Sequence, residues 1–130
     1  MRILIGKISL VLLFVLSACG KDSINTNIIY YNNTEYDLEL TLYGDYQFSN
    51  LVNKISVDAR QCRGIQLTHY PDEKIFDMIH SCSMEFSNGT SKKYTYNGEE
   101  NSDSPLIEHN YMYDRTTNTY FFVVSSSYIE

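Results

Sequence analysis

The sequence contains no tryptophan, two prolines and three cysteines in 130 residues, and its ten lysines and arginines are outnumbered by sixteen carboxylates. Each shortage excludes something. Phosphate backbones are gripped by clustered cations, so this composition argues against nucleic acid as a partner. With three cysteines no pair of Cys-x-x-Cys knuckles exists, and a structural zinc site of that kind is not expected. The longest apolar stretch, Ile8 to Leu16, has nine residues of which Ser9 alone is polar, far from the roughly 20 that span a bilayer core. What is present in excess is tyrosine, twelve residues, which together with the scarcity of proline points to a strand-rich domain. A chain of this length has room for one domain, which buries roughly 60 to 70% of its unfolded surface in one modest core.

The N-terminus separates from the rest. Arg2 and Lys7 precede the apolar run, and small residues lead to Cys19, the layout of an export signal over residues 1–18. Leu16-Ser17-Ala18-Cys19 resembles the lipobox of bacterial lipoproteins, in which the cysteine thiol is diacylated before cleavage. The resemblance implies lipidation of Cys19 and anchoring in a membrane through N-terminal acyl chains, each buried CH₂ contributing about 0.8 kcal/mol. Cleavage there removes two cations and no carboxylate, leaving a formal charge of −8. Gly20 stands where enterobacterial lipoproteins carry an inner-membrane retention Asp, so the outer membrane is the expected destination in the cell envelope. Residues 19–27 are polar and read as a flexible tether. Asp22-Ser23-Ile24 is similar to the O-glycosylation signal of Bacteroidota envelope proteins and makes Ser23 a candidate site. Asn32-Asn33-Thr34 and Asn88-Gly89-Thr90 are formal N-glycosylation sequons, read here as turn residues.

From residue 28 to 130 the hydrophobic pattern has period two. Tyr36, Leu38, Leu40 and Leu42 alternate with Asp37, Glu39, Thr41 and Tyr43, as a strand with one buried face requires. Ile28 to Tyr31 precedes it as a strand, with Asn32-Asn33-Thr34 as a hairpin turn or sandwich corner. Further strands are expected at 54–57, 64–69, 78–86, 93–96, 110–114 and 119–125, with one helical turn within 72–79 after Pro71. Asn88-Gly89 marks a hairpin, and Gly98 to Pro105 an acidic loop. Seven or eight short strands with almost no helix predict an all-β, antiparallel, immunoglobulin-like β-sandwich, with a small β-barrel as the alternative.

Few residues suggest chemistry. Cys62 and Cys82 remain once Cys19 is lipidated, and in an oxidising compartment a disulfide is expected, closing a loop of about 20 residues for roughly 3 kcal/mol. Free thiols, or a metal site adding His80 and His69, are the alternatives, though the spacing lacks a metal knuckle. His69, His80 and His109 fall in separate elements with no nucleophile signature beside them. Glu99, Glu100 and Asp103 lack the alternation of a calcium loop. No catalytic residue, metal or cofactor is therefore expected. Tyr94 with Tyr96, and Tyr111 with Tyr113, are same-face pairs whose rings could form a platform for a glycan or a protein partner. The plainer reading is that tyrosine forms strands well and covers sheet edges.

Together the lipobox, the early strand Ile28-Ile29-Tyr30-Tyr31-Asn32-Asn33, the hairpin at Phe86-Ser87-Asn88-Gly89 and the terminal Tyr120-Phe121-Phe122-Val123-Val124 resemble the short envelope lipoproteins of the Bacteroidota. The resemblance implies an envelope lipoprotein with a β-sandwich and carries no catalytic residues over. Two functions fit: a non-catalytic module binding a glycan or an envelope protein, or an inhibitor or immunity lipoprotein acting on a lysozyme-like enzyme or a toxin. An acidic domain suits a basic target of the second kind, but the paired Ser-Gly and Thr-Lys-Gly signatures of the lysozyme inhibitors are absent.

Overall fold

The computed structural model describes residues 22–96 and 103–130. The expected export signal, Cys19 and the Glu99-Glu100 pair lie outside the described residues. Among the described residues there are eight strands: β1 (Ile24–Asn32), β2 (Leu38–Tyr43), β3 (Leu51–Val57), β4 (Cys62–His69), β5 (Ser81–Phe86), β6 (Ser91–Thr95), β7 (Met112–Asp114) and β8 (Thr119–Val124), with short 3₁₀ turns at Ile75–Asp77, Glu108–Asn110 and Ser126–Ile129. They form two four-stranded sheets, β4-β1-β8-β7 and β3-β2-β5-β6. All pairs are antiparallel except β1 with β8. The sheets stay separate, so the architecture is a sandwich and the barrel alternative is not realised. A constant-type immunoglobulin domain sets strands ABED against CFG. Here the first strand instead lies between the fourth and the last, and the likeness is one of layers.

Alternation builds the core. Leu38, Leu40 and Leu42 of β2 and Cys82, Met84 and Phe86 of β5 are buried, and they face Ile28 and Tyr30 of β1 and Phe122 and Val124 of β8. The chain crosses between sheets at Asn32, which is fully buried. Its Oδ1 accepts from the backbone N–H of Thr34 at 3.2 Å and the Thr34 hydroxyl at 2.7 Å, and its Nδ2 donates to the carbonyls of Tyr36 and Val57 at 2.7 and 3.1 Å. This sequon is thus a corner device. The other opens the β5–β6 hairpin, where Gly89 takes a φ of +92°, a conformation that costs glycine little.

The strand reading fell short at the N-terminus. The tether expected over residues 19–27 gives way to a strand in its last part: β1 begins at Ile24, which pairs with His69 of β4. The polar side chains that suggested a tether are bonded to equally polar neighbours. Asn25 Oδ1 accepts from the Thr68 hydroxyl at 2.7 Å, and Asn27 Oδ1 from Gln66 Nε2 at 3.3 Å. Polarity here belongs to one wet end of a sheet.

Candidate functional site

Beyond the N-terminal end of β5 the ladder continues for one residue. The His80 N–H donates to the Tyr43 carbonyl at 2.9 Å, and the His80 carbonyl accepts from the Tyr96 N–H at 3.0 Å. Around this point three connections converge. The β2–β3 loop brings Tyr46, the β4–β5 connection brings Lys74, Phe76, Asp77 and Ile79, and the β6–β7 connection brings Leu106, Ile107, Glu108 and His109. With His80 and Tyr96 they line a cleft of about 760 Å³. The lining mixes apolar Phe76, Ile79, Leu106 and Ile107 with ionisable Lys74, Asp77, His80, Glu108 and His109.

Each wall is fixed by local bonding. The Asp45 carboxylate accepts from the backbone N–H groups of Ser49 and Asn50 at 3.1 Å and from the Ser49 hydroxyl. Those bonds, the Ser49 hydroxyl foremost, hold the carboxyl below its ordinary range, and they close the loop that presents Tyr46, half-exposed at 50%. In the β4–β5 connection Ile75 is buried, and Phe76 makes edge contacts with Tyr111 and Tyr120 at 4.8 and 5.1 Å between ring centres. Opposite, the Ser104 hydroxyl accepts from the Leu106 N–H at 3.1 Å, Leu106 and Ile107 are buried, and the Glu108 carboxylate accepts from the Tyr120 hydroxyl at 2.7 Å.

His80 is the unusual member of this lining. Its ring meets Tyr46 edge-on at 5.1 Å, while its buried Nδ1 has no hydrogen-bond partner. A buried polar group left this way costs about 1 to 3 kcal/mol. His69 differs. Its Nδ1–H donates to the carbonyls of Tyr70 and Glu73 at 3.0 and 2.9 Å, so its Nε2 is free to accept from the Thr26 hydroxyl at 2.7 Å. That imidazole is structural. His109 is exposed on the cleft rim. Among the described residues no cluster of three His, Cys, Asp or Glu side chains could hold a metal ion.

The tyrosine pairs do not form a row. Tyr94 is half-buried against the core and Tyr96 is 51% exposed at the cleft. Tyr111 is buried, donating to the Pro105 carbonyl at 2.6 Å and bonded to the Tyr30 hydroxyl at 3.0 Å. Burial pushes both phenols, Tyr30 and Tyr111, well above their ordinary range. Tyr113 is exposed, resting on Tyr120 at 4.5 Å in the other sheet. Each pair thus splits into a core ring and a surface ring. Tyr111 follows a 3₁₀ turn and precedes β7, so it fills the end of the core. Only Tyr96 of the four belongs to the cleft.

The expected disulfide is not formed. Cys62 and Cys82 are both free, the first exposed and the second buried. Cys62 pairs with the exposed Tyr31 on the outer face of β4, and Cys82 lies inward on β5. Proximity to strands did not reveal that the two strands belong to different sheets. Ser23 is exposed, immediately before β1. The residues that the sequence reading missed are Tyr46, Phe76, Lys74, Asp77 and Glu108. Tyr46 carried a signal: an aromatic ring in the turn-forming run Gly44-Asp45-Tyr46-Gln47 has no strand face to cover.

Compared with known proteins, the chain matches no family model, no curated protein and no solved structure.

Proposed function

We propose that this chain is a non-catalytic binding module of the cell envelope, anchored through acyl chains on Cys19, and that it holds a glycan in the cleft beside His80. The observation that carries the reading is the arrangement of Tyr46 and Tyr96, two half-exposed rings beside His80 in the lining of one cleft. Sugar rings offer apolar faces that lie on aromatic rings, and hydroxyls that need bonding partners at their edges. Tyr46 and Tyr96 supply the first; Lys74, Asp77, Glu108 and His109 supply the second. Both charge signs are present in the lining, which suits a neutral polar ligand better than a strongly ionic one.

The test is a glycan array probed with the protein, followed by titration of the best-bound oligosaccharide. Tyr46→Ala and Tyr96→Ala each weaken binding about tenfold, equivalent to about 1.4 kcal/mol. Tyr113→Ala, on the other sheet, leaves it unchanged. Equal losses from all three would refute the cleft.

The second reading, an inhibitor or immunity protein, draws support from the acidic balance of the chain and from exposed Asp77 and Glu108 at the cleft. It predicts capture of a basic enzyme whose affinity collapses with salt, since screened charges would then dominate.

A further inference from the structure

The outward faces of the two sheets differ in kind. On the β3-β2-β5-β6 sheet Glu39, Lys54, Glu85 and Lys93 point outward, and Lys54 forms an ion pair with Glu39 at 3.0 Å. Among the described residues, the outward face of the β4-β1-β8-β7 sheet has a single charged side chain, Asp114, at its rim. Its centre is apolar: Tyr31, Val123 and Met112 are 39, 51 and 71% exposed, and Ile29 and Phe121 are half-buried between them. We propose that this face packs against the same face of a second copy of the chain, the two related by a two-fold axis running along the strands.

Three observations favour a second copy. The first is charge. A chain with formal charge −6 repels its own copy in most orientations, and this nearly uncharged face is where that repulsion is least. The second is Gly64, in the middle of β4. Its φ is not positive, and a Cβ built there meets Ile29 Cγ1 at 3.5 Å and the Ile28 carbonyl at 3.6 Å, ordinary contacts. Among the described residues of one copy nothing calls for glycine there, although mid-strand glycine costs roughly 0.5 to 1 kcal/mol relative to alanine. Such a glycine often marks close approach by another group. The third is register. Gly64 is opposite Ile29, Ile29 opposite Phe121, and Phe121 opposite Met112, so the four form one row across the sheet. A two-fold axis along the strands reverses the order of the row. It sets the protruding Met112 of each copy over the bare Gly64 of the other, and Ile29 over Phe121. Such reciprocal contacts define an isologous interface.

Size sets the strength. Four strands about 4.8 Å apart and three to nine residues long give a plan area of roughly 400 Å² before side-chain relief is counted. Standard interfaces bury about 800 Å² of accessible surface per partner. The dimer belongs at the small end of that range.

The geometry supplies its own cross-link. Cys62 is two residues from Gly64 on the same outward face, so Met112 of one copy comes near Cys62 of the other, while the two Cys62 side chains sit at opposite edges of the interface. Full-length Met112→Cys protein treated with a short bis-maleimide should give a covalent dimer and no larger ladder. Wild type and the Cys62→Ser, Met112→Cys double variant should give no covalent dimer. Adding Gly64→Val to Met112→Cys should reduce the cross-linked fraction about tenfold, with the circular dichroism spectrum unchanged. The wild-type mass by light scattering should rise with concentration toward that of two chains. Absence of the Met112→Cys dimer, or equal cross-linking without Cys62, would overturn the proposal, as would a Met112→Cys adduct to a different protein in place of the dimer.

Discussion

Cys62 and Cys82 lie on opposite sides of one sheet: the first thiol points outward from β4, the second is sealed in the core from β5 of the facing sheet. Burial pushes the Cys82 thiol far up, so its reactive thiolate is suppressed. In the native protein at neutral pH, iodoacetamide should label Cys62 and leave Cys82 untouched until denaturant is added. A reductant should not move the unfolding midpoint. Recovery of a Cys62–Cys82 peptide from non-reduced protein would contradict the fold.

The hydroxyl chain from Tyr30 through Tyr111 to the Pro105 carbonyl joins β1 to the β6–β7 connection. Tyr30→Phe removes one bond and leaves Tyr111 donating to Pro105, and should cost about 1 kcal/mol. Tyr111→Phe strands both the Tyr30 hydroxyl and the Pro105 carbonyl, and should cost about 2 to 3 kcal/mol. Urea unfolding followed by circular dichroism measures both, and the reverse order would reject the direction of the chain.

Tyr128 is pushed up to about 12 by burial and by the charge of nearby Asp103, and burial likewise raises Tyr30 and Tyr111. Unfolded phenols lose their protons near pH 10, whereas these keep theirs in the folded chain. Above that pH the unfolded state binds fewer protons, so stability is intact below about pH 10 and falls as pH rises. Tyrosinate absorbance should show an exposed set titrating first, then a cooperative step coincident with loss of the β signal. Smooth titration of all twelve with the fold intact would contradict this.

Asn32→Ala removes the partner of two backbone carbonyls, an N–H and a hydroxyl at the corner between the sheets. A loss of about 2 to 4 kcal/mol is expected from groups left unsatisfied in a buried place. Asn33→Ala, at an exposed position, serves as the control. Equal midpoints for the two variants would remove the corner from the account.

Local signals carried the strands. The alternation from Tyr36 to Tyr43 and the Asn88-Gly89 turn are properties of adjacent residues, and the structure has β2 and the β5–β6 hairpin there. What depends on neighbours distant in sequence was harder to read. Asn25 and Asn27 look like tether until Thr68 and Gln66 are set beside them. Tyr111 and Tyr113 look alike until one is found beneath the β6–β7 connection. The cleft is assembled from connections rather than strands, so no periodicity announced it, and His80, His109 and Tyr96 were the members visible as candidates.

The most direct test of the binding proposal is nuclear magnetic resonance of ¹⁵N-histidine-labelled protein titrated with the best-bound oligosaccharide from the array. The account predicts a saturable shift of the His80 ring resonances, with His69 unmoved because Tyr70, Glu73 and Thr26 already occupy its nitrogens. Saturable binding that leaves His80 unchanged would contradict it.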